Sequence, residues 1–179
     1  MSSVNVSGQA YGFLAITPIK QGEIEALRTF IEGLSATRPF DRVKGTHMAR
    51  LVIVEDFNNM ASYKQRKEEH LANPMLCFSS NFDGDLDSYL DRLCAELTDE
   101  APQIWGRCIG CPDDAKGLKA YLKHNQIDCG FYYAAYGAAT VEQVKFSLDQ
   151  RERLMAFATR AQGMAPAELQ QAFIEEFAS

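Results

Sequence analysis

Residues that interrupt regular structure are scarce, with 12 glycines and 6 prolines in 179 residues. They form no repeat or low-complexity tract, which excludes collagen-like and disordered architectures. Basic residues are also in deficit, 18 against 24 acidic, for a formal charge of -6. Such a chain repels a phosphate backbone unless its cations gather on one face, and its densest basic stretch, Lys64 to Lys67, runs directly into Glu68 and Glu69. Nucleic-acid binding is therefore disfavoured.

No apolar run approaches the length of a membrane span, and Met1 to Gly8 has neither a basic nor an apolar segment of the secretory kind. The expectation is a cytoplasmic protein with no membrane partner. Five cysteines, an odd number scattered through apparently structured segments, fit reduced thiols better than a disulfide framework. Linear catalytic signatures are missing as well: no P-loop, no GxGxxG after a strand, no GxSxG and no HExxH occurs. Asn81, Asp83, Asp85 and Asp87 alternate like calcium-loop ligands, but Leu86 and Arg92 stand where an EF-hand needs Gly and Glu. No metal site is expected.

Apolar residues make up 46% of the chain, enough for one well-buried core, and a single domain over residues 1–179 is the default expectation. Tyr11 to Thr17 is an apolar, aromatic-rich run stopped by Pro18, which predicts a strand. Ile24, Leu27, Phe30, Ile31 and Leu34 recur at spacings of three and four, predicting a helix that ends near Gly33 to Ser35. Thr46 to Val54 is rich in β-branched residues, and Met75 to Phe82 lies between Pro74 and the Asp83-Gly84 turn signal; both read as strands. The excursion between them is too long for a hairpin and predicts a short helix around Tyr63 to Leu71 or a loop.

Asp85 is a fitting N-cap for a helix carrying Leu86, Tyr89, Leu90, Leu93, Cys94 and Leu97. Residues 99–126 read as an irregular helical insertion, and Cys129 to Tyr136 as a fourth strand. Thr140 and Gln143 match a capping box ahead of a long helix, and Pro166 opens a last one. The predicted class is α+β, a ferredoxin-like βαββαβ antiparallel sheet with a helical insertion before the last strand and helices at the C-terminus.

Strand alternation divides this sheet into two faces. His47, Ala49, Leu51 and Ile53 share one side of their strand, while Met48, Arg50, Val52 and Val54 share the other. Leu76, Phe78, Ser80 and Phe82 oppose Cys77, Ser79 and Asn81. With the more apolar sets under the helices, Arg50, Ser79 and Asn81 fall on an open face, joined by Tyr132 and Tyr136. An Arg among Val and Met is costly to bury unpaired, so it meets solvent, a carboxylate or a ligand. The open face itself needs a cover: the C-terminal helices, or a second copy packed sheet to sheet around a cavity.

In its order of elements over residues 10–85 and 128–160, the chain resembles the dimeric α/β-barrel superfamily, which includes antibiotic-biosynthesis monooxygenases, chlorite dismutases and dye-decolorising peroxidases. The resemblance implies a homodimer, a cavity-forming sheet and, in several members, haem or oxygen chemistry. Of the three histidines, His47 and His124 are candidates for axial ligation or acid-base work, against a structural or surface role; His70, beside Glu68 and Glu69, reads as solvated.

The first functional expectation is thus a small-molecule-binding protein or enzyme with a cavity on the open face. Its most concrete version is haem-dependent oxidation, with His47, Arg50 and His124 as catalytic candidates and Ser79, Asn81, Tyr132 and Tyr136 as ligand-binding ones. The second is a non-catalytic dimerisation module. The third is a thiol redox protein using Cys108-Ile109-Gly110-Cys111, a CxxC that lacks the helix N-terminus such a motif wants and has no second pair for zinc.

Overall fold

A computed structural model describes residues 4–57 and 69–177. They fall into two compact units, 1–141 and 142–179.

The first unit is α+β. Its elements run β1 (Val6–Ser7), β2 (Ala10–Pro18), α1 (Ile24–Thr37), a 3₁₀ turn (Pro39–Asp41), β3 (Thr46–Val54), β4 (Met75–Asp83), α2 (Leu86–Glu96), α3 (Glu100–Ile104), a second 3₁₀ turn (Trp105–Arg107) and α4 (Ala115–His124). The strands form an open antiparallel sheet in the order β1-β2-β4-β3. β4 is central and is paired on both edges, from Ala10↔Asp83 to Pro18↔Met75 on one side and from Thr46↔Phe82 to Val54↔Met75 on the other.

The three long strands lie where the hydrophobic alternation places them, and α1 extends a little past its expected end. Its chain continues to Arg38, which adopts the left-handed conformation (φ 47°), donates its amide to Leu34 O and hands over to Pro39. Asp85 caps α2 as expected, accepting from the Ser88 amide at 2.9 Å. The insertion resolves into α3 and α4; Asp114 caps the latter by accepting from Gly117 N.

The expected fourth strand at 129–136 is not a strand. The outer edge of β2 is shared instead by two short segments. β1 pairs through Val6↔Tyr11 and Ser7↔Ala10, and farther along residues 125–127 make a bridge at Ala15↔Gln126. Three hydrogen bonds tie 129–137 to the N-terminal segment: Cys129 N donates to Asn5 Oδ1, Ala134 N to Ser7 Oγ, and Gln9 N to Gly137 O. With that edge of β2 already occupied, the aromatic run has no ladder to join.

Helices α1 to α4 cover one sheet face. Phe13, Ala15, Leu76, Phe78 and Phe82 of the strands pack against Leu27, Leu90, Leu93, Ile104, Trp105 and Leu122 in a single buried cluster. Phe78 is fully buried among the rings of Phe13, Phe40 and Trp105. Phe82 stacks on Tyr89 at 3.7 Å between centroids and on Tyr11 from its other side. The Tyr89 hydroxyl is satisfied by Ser80 Oγ at 2.7 Å and by Thr46 Oγ1 at 3.3 Å, whereas the indole Nε1 of Trp105 is buried without a hydrogen-bond partner among the described residues.

The second unit is a helical pair, α5 (Val141–Arg160, begun by the last residue of the first unit) and α6 (Pro166–Phe177). It closes around Phe157, whose ring meets those of Phe173 and Phe177; Arg153 and Arg160 lie over these rings and both engage Glu176.

The excursion after β3 lies outside the described residues over 58–68, including most of the expected helix around Tyr63 to Leu71; Glu69, His70 and Leu71 are not helical. Its two ends are joined by Asp56, which accepts from His70 Nδ1 at 2.7 Å and from the amides of Leu71 and Phe57. These bonds, His70's first, lower the Asp56 pKa from 3.8 to about 2. A depressed carboxylate contributes stability that is present above its ordinary pKa and lost as pH falls through the folded value. NMR titration should place Asp56 near the lower value, and His70→Ala should return it toward the ordinary one; an unchanged Asp56 in that variant contradicts the assignment. Phe78→Ala should cost about 3–5 kcal/mol, measured by urea denaturation.

Candidate functional site

Because β4 is paired on both sides, the residues facing away from the helices fall into rows across the sheet. From one end these are Pro18, Met75 and Val54; Ile16, Cys77 and Val52; Leu14, Ser79 and Arg50; then Gly12, Asn81 and Met48; and finally Ala10 and Asp83. The rows run from apolar to polar along the strands. Met48 and Val52 are 64% and 41% exposed, high for large apolar side chains on a sheet, and both flank Arg50. Among the described residues Arg50 has no hydrogen-bond or ion-pair partner.

Asn81 and Tyr132 come together at the polar end. Tyr132 lies across Gly12, where an added Cβ would fall 2.8 Å from two ring carbons, and its hydroxyl accepts from Asn81 Nδ2 at 3.2 Å. Burial raises the Tyr132 pKa, so the phenol stays neutral at physiological pH. Glycine at position 12 is thus required by a side chain that arrives from 120 residues away. Ser79 keeps its expected place opposite Arg50.

His47 departs from its expected side. The register shifts between Thr46 and Met48, a bulge that gives Thr46 the inward position bonded to Tyr89 and leaves His47 as the extra residue. His47 Nε2 instead meets Asp83 Oδ1 at 2.7 Å, while Asp83 Oδ2 accepts the Val141 amide at 2.8 Å. At this distance an imidazole and a carboxylate can share a proton. His124 is exposed at the end of α4, in the helical layer, and Tyr136 is exposed within 129–137; the structure brings neither to the rows around Arg50.

This donor set does not fit axial haem ligation on the open face. His124 is on the helical side of the sheet, and the nitrogen that His47 presents at the sheet end is held by Asp83. The CxxC is equally ill-suited to thiolate chemistry. Cys108 is fully buried, its Sγ 3.3 Å from Thr17 Oγ1, and burial pushes both thiols up, Cys111 to about 11. Among the described residues no cluster of His, Cys, Asp and Glu is placed to hold a metal ion.

Two participants escape a reading by sequence pattern. Asp83 reads as a turn residue, though its carboxylate joins His47 to Val141. Asn5 lies in an N-terminal stretch to which the sequence pattern assigns no element, yet it is 2% exposed, with Nδ2 donating to Asp128 Oδ1 at 2.7 Å and Oδ1 accepting Cys129 N. It ties the first residues of the chain to the segment that delivers Tyr132. Only Gly12, conspicuous inside a strand pattern, carried a signal that a close approach was to be found there.

Gly12→Ala should destabilise the protein by about 1–3 kcal/mol by displacing the Tyr132 ring, and should cost much less in a Tyr132→Ala background. Equal losses in both backgrounds, measured by denaturant melts, would show that the ring is not the obstacle. Comparisons with protein-family models, with curated proteins and with solved structures find no match to this chain.

Proposed function

We propose that this protein binds an amphipathic small anion, a carboxylate or sulfonate on an apolar body, along the open face of its sheet. One observation carries the reading: Arg50 is a guanidinium without a partner among the described residues, set between exposed Met48 and Val52, opposite Ser79. A guanidinium offers paired donors suited to an oxyanion, and its hydration is weak enough to be exchanged for a ligand. Ser79 and Asn81 add hydrogen-bonding groups beside it, and Tyr132 walls the polar end. Ile16, Cys77 and Val52 provide the surface on which the apolar body lies.

The succession of β2, α1, β3, β4 and α2, with β4 between β2 and β3, supports a ferredoxin-like core. In that reading β1 and residues 125–127 together stand in for the fourth strand. Should the protein also be an enzyme, His47 paired with Asp83 is the group best placed to exchange a proton, at the same end as Asn81.

The anionic fluorophore anilinonaphthalene sulfonate provides a direct probe. Wild-type protein should bind it saturably, and Arg50→Ala should weaken binding by ~tenfold, or ~1.4 kcal/mol, with the fold intact by circular dichroism. Unchanged affinity in Arg50→Ala, or no saturable binding by the wild type, refutes the reading.

A further inference from the structure

The helical pair at 142–179 cannot account for its own stability. It has fewer than the ~40 residues at which chains generally need a disulfide, a metal or association to fold, and among its described residues only Phe157 is buried. Phe157 marks the side of α5 that meets α6. On another side, Val144, Leu148 and Met155 recur at spacings of four and seven and are 39%, 48% and 62% exposed. With Arg151 and Ala158 between and after them, they form a heptad seam along a 20-residue helix. Lys145 and Glu152, seven residues apart, border this seam on one flank.

We infer that this seam is a homodimer interface, in which α5 lies antiparallel against α5 of a second copy. A two-fold axis passing between Leu148 and Arg151 sets Val144 against Met155 of the second copy and Leu148 beside the aliphatic stem of its Arg151. The same axis brings Lys145 next to Glu152 of the second copy, twice by symmetry, and opposes the two helix dipoles favourably. The seam is thus self-complementary in charge as well as in apolar character.

A helix of this length is about 30 Å long, and its contact buries on the order of 500 Å² per partner, near the ~1,000 Å² total at which an interface becomes specific. This inference does not depend on the ligand-binding reading, since it uses none of the sheet residues.

Sedimentation velocity from ~1 to ~100 μM should show a monomer–dimer equilibrium, and Leu148→Glu should raise its dissociation constant at least ~tenfold. Lys145→Glu and Glu152→Lys should each weaken the dimer, and the double exchange should restore it. That restoration cannot come from a misfolded variant. A monomer at every concentration, a dimer indifferent to Leu148→Glu, or a double exchange no better than the single ones each overturns the inference. An indifferent dimer would place the contact elsewhere, with the open sheet face the first surface to examine.

Discussion

The structure of the first unit depends on the central position of β4. A strand hydrogen-bonded on both edges for its whole length cannot rotate a side chain from one face to the other without a register slip that would misplace all the rest. Leu76, Phe78 and Phe82 are thereby fixed beneath the helices, where they form the floor of the core. Ser79 and Asn81 are fixed on the opposite side with the same certainty. Core and candidate site are two consequences of a single two-residue period.

That constraint also explains how polar groups are distributed. Ser80 falls on the helical face by parity, where its hydroxyl donates to Met48 O and meets the Tyr89 hydroxyl, and the bulge in β3 turns Thr46 toward that Tyr89 hydroxyl. The bulge that completes this buried network releases His47 to Asp83. A packing requirement inside the sheet thus determines which titratable pair stands at its end.

The open face is different in kind. It combines exposed Met48 and Val52 with a guanidinium that has no partner among the described residues, and one end of it is closed by Tyr132 over Gly12. A surface of this character is unfavourable to leave bare and poorly suited to simple core packing, since Arg50 would have to be desolvated without a counter-charge. An amphipathic anion satisfies both halves. The exposed seam of α5 presents an apolar stripe flanked by opposite charges, which suits a copy of itself rather than a small molecule.

By itself the sequence determined the three long strands, the division of β4 into faces, the cap at Asp85 and the positions of Arg50, Ser79 and Asn81. Each of these follows from local periodicity or from a residue's own backbone preference. Tertiary structure decided the rest. Cys129 to Tyr136 has the composition of a strand, but whether a run becomes one depends on a free edge, and β1 and residues 125–127 hold the edge of β2. Two-residue β1 is too short to leave a periodic trace. The bulge at His47, the burial of Asn5 and the arrival of Tyr132 over Gly12 all join segments remote in the chain, so no local pattern encodes them. They fix which of the candidate side chains meet, and only the three strand residues of the open face were set beforehand by alternation alone.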